Sequence, residues 1–513
     1  MGVSCGGSAS TGAVGTQLQA VGAADLYLTF NAKMTLWRAR YNKHTNFAME
    51  SLEQPFNTQV SFGQEAQCVL NRTGDLIYFM YVVIDLPGIT GVKQAVGTGL
   101  CGGNGADQFP WAPDTCDACC DGAYPKPCAL NTTACAAVTD YGNLGSDCGN
   151  DDHIDETKVW AHWTNAIGQY LVKQAVIVVG GQIVDTLYND YLFMWEELSG
   201  KPGKRLTEMI GKRATLEELI EESAETRRLY VPLPFWFTQN SGNALPLVSL
   251  QFHGVQVHVC FESLKNCIQV SGPGVTVLKS DECTPITSQD LRARLDTTYV
   301  YLDIEERDRF ATGSFEQLIT QVQRNVVVAS QQQVAVQLNF NHPIIELIWA
   351  VRRRCQEVLN NHFNFSGKHN KDPLEYVHLK LNNLPRFQGR EARYFRLVQP
   401  YQFHTNIPDA FVYCFSFALH PEAPQPSGSC NFSRIDNVEM VFELQSELFQ
   451  NTQYAYNPYG QFVGGRGCAM PQGGYVGGAV NTDPYAGQVS IIIIARNWQI
   501  FRFRSGLAGR AFN

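Results

Sequence analysis

Charge is scarce in this 513-residue chain: Asp, Glu, Lys and Arg make up 17% of it, against about a quarter in ordinary globular proteins. So charge-poor a composition suits a protein much of whose outside meets other protein. Long Lys/Arg arms are missing and the formal net charge is −9. The clustered positive charge that displaces counterions from phosphates is therefore absent, and direct nucleic-acid binding is not expected. No apolar run reaches the roughly 18–20 residues that span a bilayer; the best candidates, 76–86 and 489–495, are strand-sized. The opening MGVSCGGSAS lacks an apolar core of signal-peptide length. Gly6 stands where a myristoylation signal needs Ser or Thr. A soluble, unsecreted chain without a transmembrane anchor is expected.

Catalytic signatures are missing too. There is no HExxH, GxSxG or GxxxxGK[S/T], so the usual metalloprotease, hydrolase-elbow and phosphate-loop chemistries have no foothold. GKPGKR at Gly200–Arg205 has the wrong spacing for a phosphate loop. The eleven histidines are dispersed. His253 and His258 lie five apart on an expected strand, which points them to opposite faces and keeps them from sharing a metal. The acidic run Asp151–Glu156 lacks the spaced ligands and turn glycine of a calcium loop. No catalytic, cofactor-binding or metal-binding residue is expected. Phe235-Trp236-Phe237 reads either as a sugar-stacking platform or as core or interface, the second being favoured in a β-sandwich.

What the chain does have is β texture. Residues 1–24, rich in Gly, Ser, Ala and Thr, read as a flexible arm. From Leu26 onward, strands are expected at 76–85, 175–185, 248–262, 298–303, 334–341, 376–381, 411–419, 438–445 and 489–503, several with apolar residues at every second position. Gly180-Gly181 marks a two-residue hairpin inside the second of these stretches. Helical texture is confined to 189–199, 215–226 (Thr215 and Glu218 fit a capping box) and 314–323, where Ser314 and Gln317 repeat that spacing. The length calls for at least two domains. Many strands and few short helices indicate β-sandwiches, all-β in class. The helical stretch at 189–226 is the natural seam, placing a first sandwich at 25–226 and a second at 227–513.

Sixteen cysteines complicate the picture. Nine are scattered and read as inert small core residues. Seven, Cys101, Cys116, Cys119, Cys120, Cys128, Cys135 and Cys148, crowd a Gly/Asp/Pro/Asn-rich stretch at about 87–160. A loop this long without secondary structure is usually functional or cross-linked. Disulfides, structural zinc and free thiols are the three readings. Cys116-x2-Cys119 is metal-like, but Cys128, Cys135 and Cys148 supply no second pair of matching spacing, so disulfides lead. Asn-x-Ser/Thr occurs at Asn71, Asn131, Asn364 and Asn431. Asn71 and Asn431 adjoin expected strands, and Asn131, in the loop-like cysteine-rich stretch, is the candidate for glycosylation.

Several long irregular strings carry a resemblance. They are DLYLTFNAKMTLWRARYNKHTNFAMESLEQPFN (Asp25–Asn57), YLFMWEELSGKPGKR (Tyr191–Arg205), LYVPLPFWFTQNSGNALPLVSLQFHGVQVHVCFE (Leu229–Glu262), LNFNHPIIELIWAVRR (Leu338–Arg353), YFRLVQPYQFHTNIPDAFVYCFSFALHPEAPQPSGSCNFSRIDN (Tyr394–Asn437) and the final NWQIFRFRSGLAGRAFN. In sequence and order they resemble the major capsid proteins of nucleocytoplasmic large DNA viruses, especially those of algae and amoebae. The resemblance implies two tandem eight-stranded jelly rolls, a double jelly roll with short helices in its connections, and no enzymatic activity or cofactor. It further implies a late-expressed homotrimer of nearly hexagonal outline, assembled in the host cytoplasm into an icosahedral virion shell. Its implied partners are neighbouring capsomers, minor capsid proteins and a vertex (penton) protein. It places the cysteine-rich stretch as an outward loop of the first jelly roll. The rival reading is a glycan-binding, lectin-like double sandwich on a particle or fibre.

Overall fold

The computed structural model describes residues 11–32, 43–94, 136–137, 161–270, 275–279, 284–449 and 487–512. Met1–Asn46 form one unit and Phe47–Asn513 another. In the first, Thr11–Gln19 (α1) and Ala23–Thr29 (α2) are helical. Composition predicted a flexible arm and then β texture here. Local hydrogen bonds explain the difference: Gly22 N–H donates to the Asp25 carboxylate at 2.7 Å and the Thr29 hydroxyl to the Asp25 carbonyl at 2.8 Å.

In the second unit, two sets of eight strands carry the fold. The first set is β1 (Phe47–Pro55), β2 (Glu65–Val69), β3 (Leu76–Leu86), β4 (Val172–Val179), β5 (Gln182–Tyr188), β6 (Arg227–Pro232), β7 (Val255–Phe261) and β8 (Arg292–Leu302). The second is β9 (Phe315–Ala329), β10 (Gln333–Gln337), β11 (Pro343–Arg353), β12 (Leu374–Leu381), β13 (Leu384–Glu391), β14 (Val412–Ser416), β15 (Val438–Leu444) and β16 (Val489–Arg504). Pairing within each set is antiparallel and nested, first with last. β1 pairs β8, β2 pairs β7, β3 pairs β6 and β4 pairs β5. In the same way β9 pairs β16, β10 pairs β15, β11 pairs β14 and β12 pairs β13. Cross-links β3·β8, β4·β7, β11·β16 and β12·β15 close each set into two sheets. Their orders are β1-β8-β3-β6 facing β2-β7-β4-β5, and β9-β16-β11-β14 facing β10-β15-β12-β13. Each set is a jelly roll, and the two share one strand order.

Turn chemistry sets the innermost pair of the first roll. Gly180 (φ 58°) and Gly181 (φ 81°) both sit in the left-handed region that a two-residue hairpin requires. A Cβ on Gly180 would also lie 2.3 Å from the His253 ring.

Two sequence expectations are overturned. Three strands beyond Thr226 (β6, β7 and β8) pair with strands before it, so the first roll runs to Leu302. The helices Asn189–Ser199 (α3) and Leu216–Ala224 (α4) lie inside its β5–β6 connection, and the change of roll falls at helix Ile304–Thr312 (α5). Residues 314–323, expected helical, open strand β9. There the buried positions Gln317, Ile319 and Gln321 alternate with more exposed neighbours, and an unbroken ladder runs from Phe315↔Phe503 to Ala329↔Val489. That ladder outweighs a possible Ser314–Gln317 cap. The α4 cap holds: the Glu218 N–H donates to the Thr215 hydroxyl at 3.3 Å.

β11 explains why a strand can be apolar without alternation. Leu347, Trp349 and Val351 enter the second roll's core together with Ile491, Ile493 and Ala495. Ile348 and Ala350, with Ile492 and Ile494 of β16, point the other way into a core continuous with the first roll. Both faces of β11 and β16 are therefore dry, and each residue buried there contributes about 25 cal/mol per Å² of apolar surface removed from water.

Candidate functional site

The resemblance implies a protein that works through its rigidity and its flanks, so the junction between the two rolls is the first candidate. Helix α3 is its dowel. Asp190, in the first turn of α3, is fully buried and meets two guanidinium groups of the second roll, Arg324 at 2.6 Å and Arg352. Burial alone would raise its carboxyl; the charges of Arg352 and Arg324 prevail and hold it below the usual range. Two turns on, buried Glu197 pairs with Lys212 and accepts a hydrogen bond from the backbone N–H of Asp409 at 3.1 Å. The backbone N–H of Asn406 closes the same corner on the Leu198 carbonyl at 2.9 Å.

Beneath α3 lies a buried ionic chain. Arg496 (β16) donates to Glu346 (β11) at 2.6 Å, and its guanidinium lies 3.9 Å from the Trp195 ring centre. The fully buried imidazole of His404 pairs with Glu346 at 2.9 Å and with Glu422 at 3.0 Å. Burial opposes both charges, but the carboxylate of Glu346 holds His404 up at about 12. In return, His404 and Arg496 hold Glu346 down at about 2. Held between two carboxylates, His404 ties Glu346 to Glu422 and fixes the geometry of the junction.

Both ends of the junction are clamped as well. At one, Asn360 of the second roll donates to the carbonyls of Lys265 and Ile268, each at 2.7 Å. Beside it the Tyr170 and His362 rings stack at 3.8 Å. At the other end, the Phe252 N–H donates to the Gly506 carbonyl at 3.0 Å and the Ala508 N–H to His253 Nδ1 at 3.2 Å. Gly506 has φ +77°, and a Cβ there would stand 2.7 Å from the Phe252 ring.

The residues singled out from sequence fall mostly elsewhere. Cys101, Cys116, Cys119, Cys120, Cys128, Cys135, Cys148, Asn131 and the Asp151–Glu156 run lie outside the described residues. Of the scattered cysteines, Cys68, Cys267 and Cys414 are buried free thiols, and burial pushes Cys68 up to about 11. Cys355 departs from that expectation, being disulfide-bonded. His258 is on β7, paired with Glu65 at 2.6 Å. His253 precedes that strand instead of sharing it. Phe235, Trp236 and Phe237 are buried at 0–1% exposure, with Trp236 packed on Phe501, so they are core and offer no sugar platform. Among the described residues no cluster of three metal-ligating side chains occurs.

The ionic chain itself escaped the sequence reading, although a signal exists. Glu346 and Arg496 each interrupt a long apolar run, IIELIWAV and IIIIARNW. A lone charge inside a doubly buried strand needs a partner.

Comparison with known proteins decides what the double roll is for. The family model described as the large eukaryotic DNA virus major capsid protein matches residues 306–462, and the major capsid protein N-terminus matches 35–112 and 133–303. The major capsid protein of Pyramimonas orientalis virus is 30% identical over 462 residues, covering 85% of this chain and 92% of that protein. The chain belongs to the major capsid proteins of large eukaryotic DNA viruses. The relative from Paramecium bursaria Chlorella virus 1 is 26% identical over 537 residues, covering 97% of this chain and 98% of that protein. In the PBCV-1 virus capsid, the matching chain superimposes with a TM-score of 0.64 at 23% identity, covering 93% of this chain and 100% of that one. The Faustovirus major capsid protein gives 0.61 at 12% identity and 96% of each chain; at such identity the likeness concerns the fold. This capsid protein therefore takes its place in the virion shell, and the lectin reading gains no support. Among the described residues no helix is long and apolar enough to cross a membrane.

Proposed function

We propose that three copies of this capsid protein associate into a capsomer of nearly hexagonal outline, which tiles an icosahedral shell and catalyses nothing. The supporting observation is the repeat itself. One chain carries two eight-stranded rolls with the same strand order, so three chains present six similar positions from one gene product. Cyclic closure of such a repeat leaves flanks that pack against neighbouring capsomers. The locked junction suits a tile that must not flex between its halves. Minor capsid proteins and a vertex protein complete the partner set. Net charge −9 without a basic arm supports a protein that does not touch the genome, and no cofactor or membrane anchor is assigned to it. Assembly is placed in the host cytoplasm, late in infection.

Sedimentation velocity of the purified full-length chain tests this. The expected species has three times the 57.1 kDa chain mass and a six-cornered outline by negative stain. A monomer at every concentration would end the reading.

A further inference from the structure

The opening unit differs in chemistry from the rest of the chain. Residues 1–46 hold four Lys and Arg (Lys33, Arg38, Arg40 and Lys43) against one acid, Asp25, in a chain whose net charge is −9. That acid serves the backbone: its carboxylate accepts from the Gly22 N–H at 2.7 Å and holds the turn between α1 and α2. Large apolar side chains stand in water between Val14 and Phe30. Val14 and Leu18, four apart and so on one face of α1, are more than half exposed, as is Val21 after it. Tyr27 is 92% exposed, and Leu28 and Phe30 are each 82% exposed. The sequence continues as NAKMTLWRARYNK, in which Met34, Leu36, Trp37 and Tyr41 interleave with the four cations.

A partner for this segment has to meet two demands. It has to cover apolar and aromatic side chains, and it has to be negative. Nucleic acid meets only the second, and four cations dispersed in this way lack the clustering that binds a phosphate backbone. An acidic protein flank likewise leaves the apolar groups in water. The surface of an anionic bilayer meets both demands, because hydrocarbon lies just beneath charged headgroups. Aromatic side chains beside Lys and Arg are the composition of segments that lie in that interface. With nine and seven residues, α1 and α2 are far short of the roughly 20 that span a bilayer, so contact along the surface is the geometry open to them.

We propose that the opening segment docks on an anionic lipid surface, its exposed apolar side chains entering the headgroup layer and its cations pairing with lipid phosphates and carboxylates. Without a fatty-acid signal at Gly2 each contact is weak and reversible, and a shell made of many chains holds a membrane through their number. The number of chains in a capsomer does not enter the argument.

Vesicle flotation of the purified full-length chain tests this, with far-UV circular dichroism to confirm the fold of each variant. The wild type is expected to float with phosphatidylcholine vesicles containing about 30% phosphatidylserine, to stay behind with phosphatidylcholine alone, and to be released by salt. Leu28→Ser with Phe30→Ser should weaken binding about tenfold or more. Lys33→Gln, Arg38→Gln, Arg40→Gln and Lys43→Gln together should do the same. If the apolar pair fails to fold, Tyr27→Ser replaces it. Leu384→Ser, at an exposed apolar position on β13, should leave flotation unchanged. A wild type that does not float, that floats equally on neutral vesicles, or that keeps its flotation in both sets of variants overturns the proposal. So does a fall in oligomer size, without vesicles, that parallels the loss of flotation, because the segment's partner is then a second copy of the chain.

Discussion

The two jelly rolls share one strand order and differ in what their matching sheets meet. In the second roll, the central strands β11 and β16 are dry on both faces, because Ile348, Ala350, Ile492 and Ile494 press into the first roll. In the counterpart sheet, β1-β8-β3-β6, the strand matching β16 is β8, which is dry on its inner side only. Leu295, Thr297 and Tyr299 of β8 are fully buried, whereas the alternate residues Arg294, Asp296 and Thr298 are partly exposed. For the matching strands β16 and β8, the same topology thus yields a continuous apolar run where a neighbour is built into the chain, and an alternating one where none is. Sequence pattern reports the surroundings of a sheet more faithfully than its place in the fold.

The largest effect that would break this comparison lies in the buried ionic chain. Glu346→Ala leaves Arg496 and His404 without their shared carboxylate, and the loss is expected at about 3–5 kcal/mol by urea denaturation. A smaller loss would mean that water reaches the junction. Next come matched outer-face substitutions. Ile348→Ala should cost about 2–5 kcal/mol, because its methyl groups leave a packed space. Thr298→Ala, at a partly exposed outer-face position on the first roll, should cost about 0.5 kcal/mol or less in the isolated chain. Equal costs would show that the two sheets are not differently covered.

The smallest effect concerns Asp185, whose burial at the β5·β9 contact raises its carboxyl from 3.8 to about 7 although the Val322 and Thr186 N–H groups hydrogen-bond to it. The folded chain then keeps a proton that the unfolded chain has released. This group's contribution to stability therefore falls as pH rises from about 4 to 7. Asp185→Asn, which keeps an acceptor oxygen, should flatten that part of the pH profile of the urea midpoint. An unchanged slope would show that the carboxyl is ionised throughout.

Much of the fold was legible. β3, β15 and β16 announced themselves as β-branched and aromatic runs, the Gly180-Gly181 hairpin by its turn, and α3 and α4 by their texture. The seam was misplaced because a helical stretch looks the same whether it joins two domains or bridges two strands of one. Only pairing between strands some 250 residues apart separates the two cases, and no local pattern encodes it. Strand β9 was read as a helix because Ser314 and Gln317 satisfy a cap rule that ignores the partner strand β16. As for the site, only Glu346 and Arg496 betrayed the junction, each as a lone charge in an apolar run; which strands and helix they meet there is a property of distant pairing, which no local pattern displays. The assignment to capsid proteins came from long irregular strings, not from chemistry.

Nested pairing also imposes an order of events on synthesis. β4 and β5 lie two residues apart and can meet as soon as both have left the ribosome, whereas β1 has no partner until β8 has been made, some 240 residues after it. Each roll therefore closes from its hairpin outward. Its outermost strand, in the first roll the edge β1, waits longest in the open, which exposes a growing crowd of identical chains to premature union through that strand.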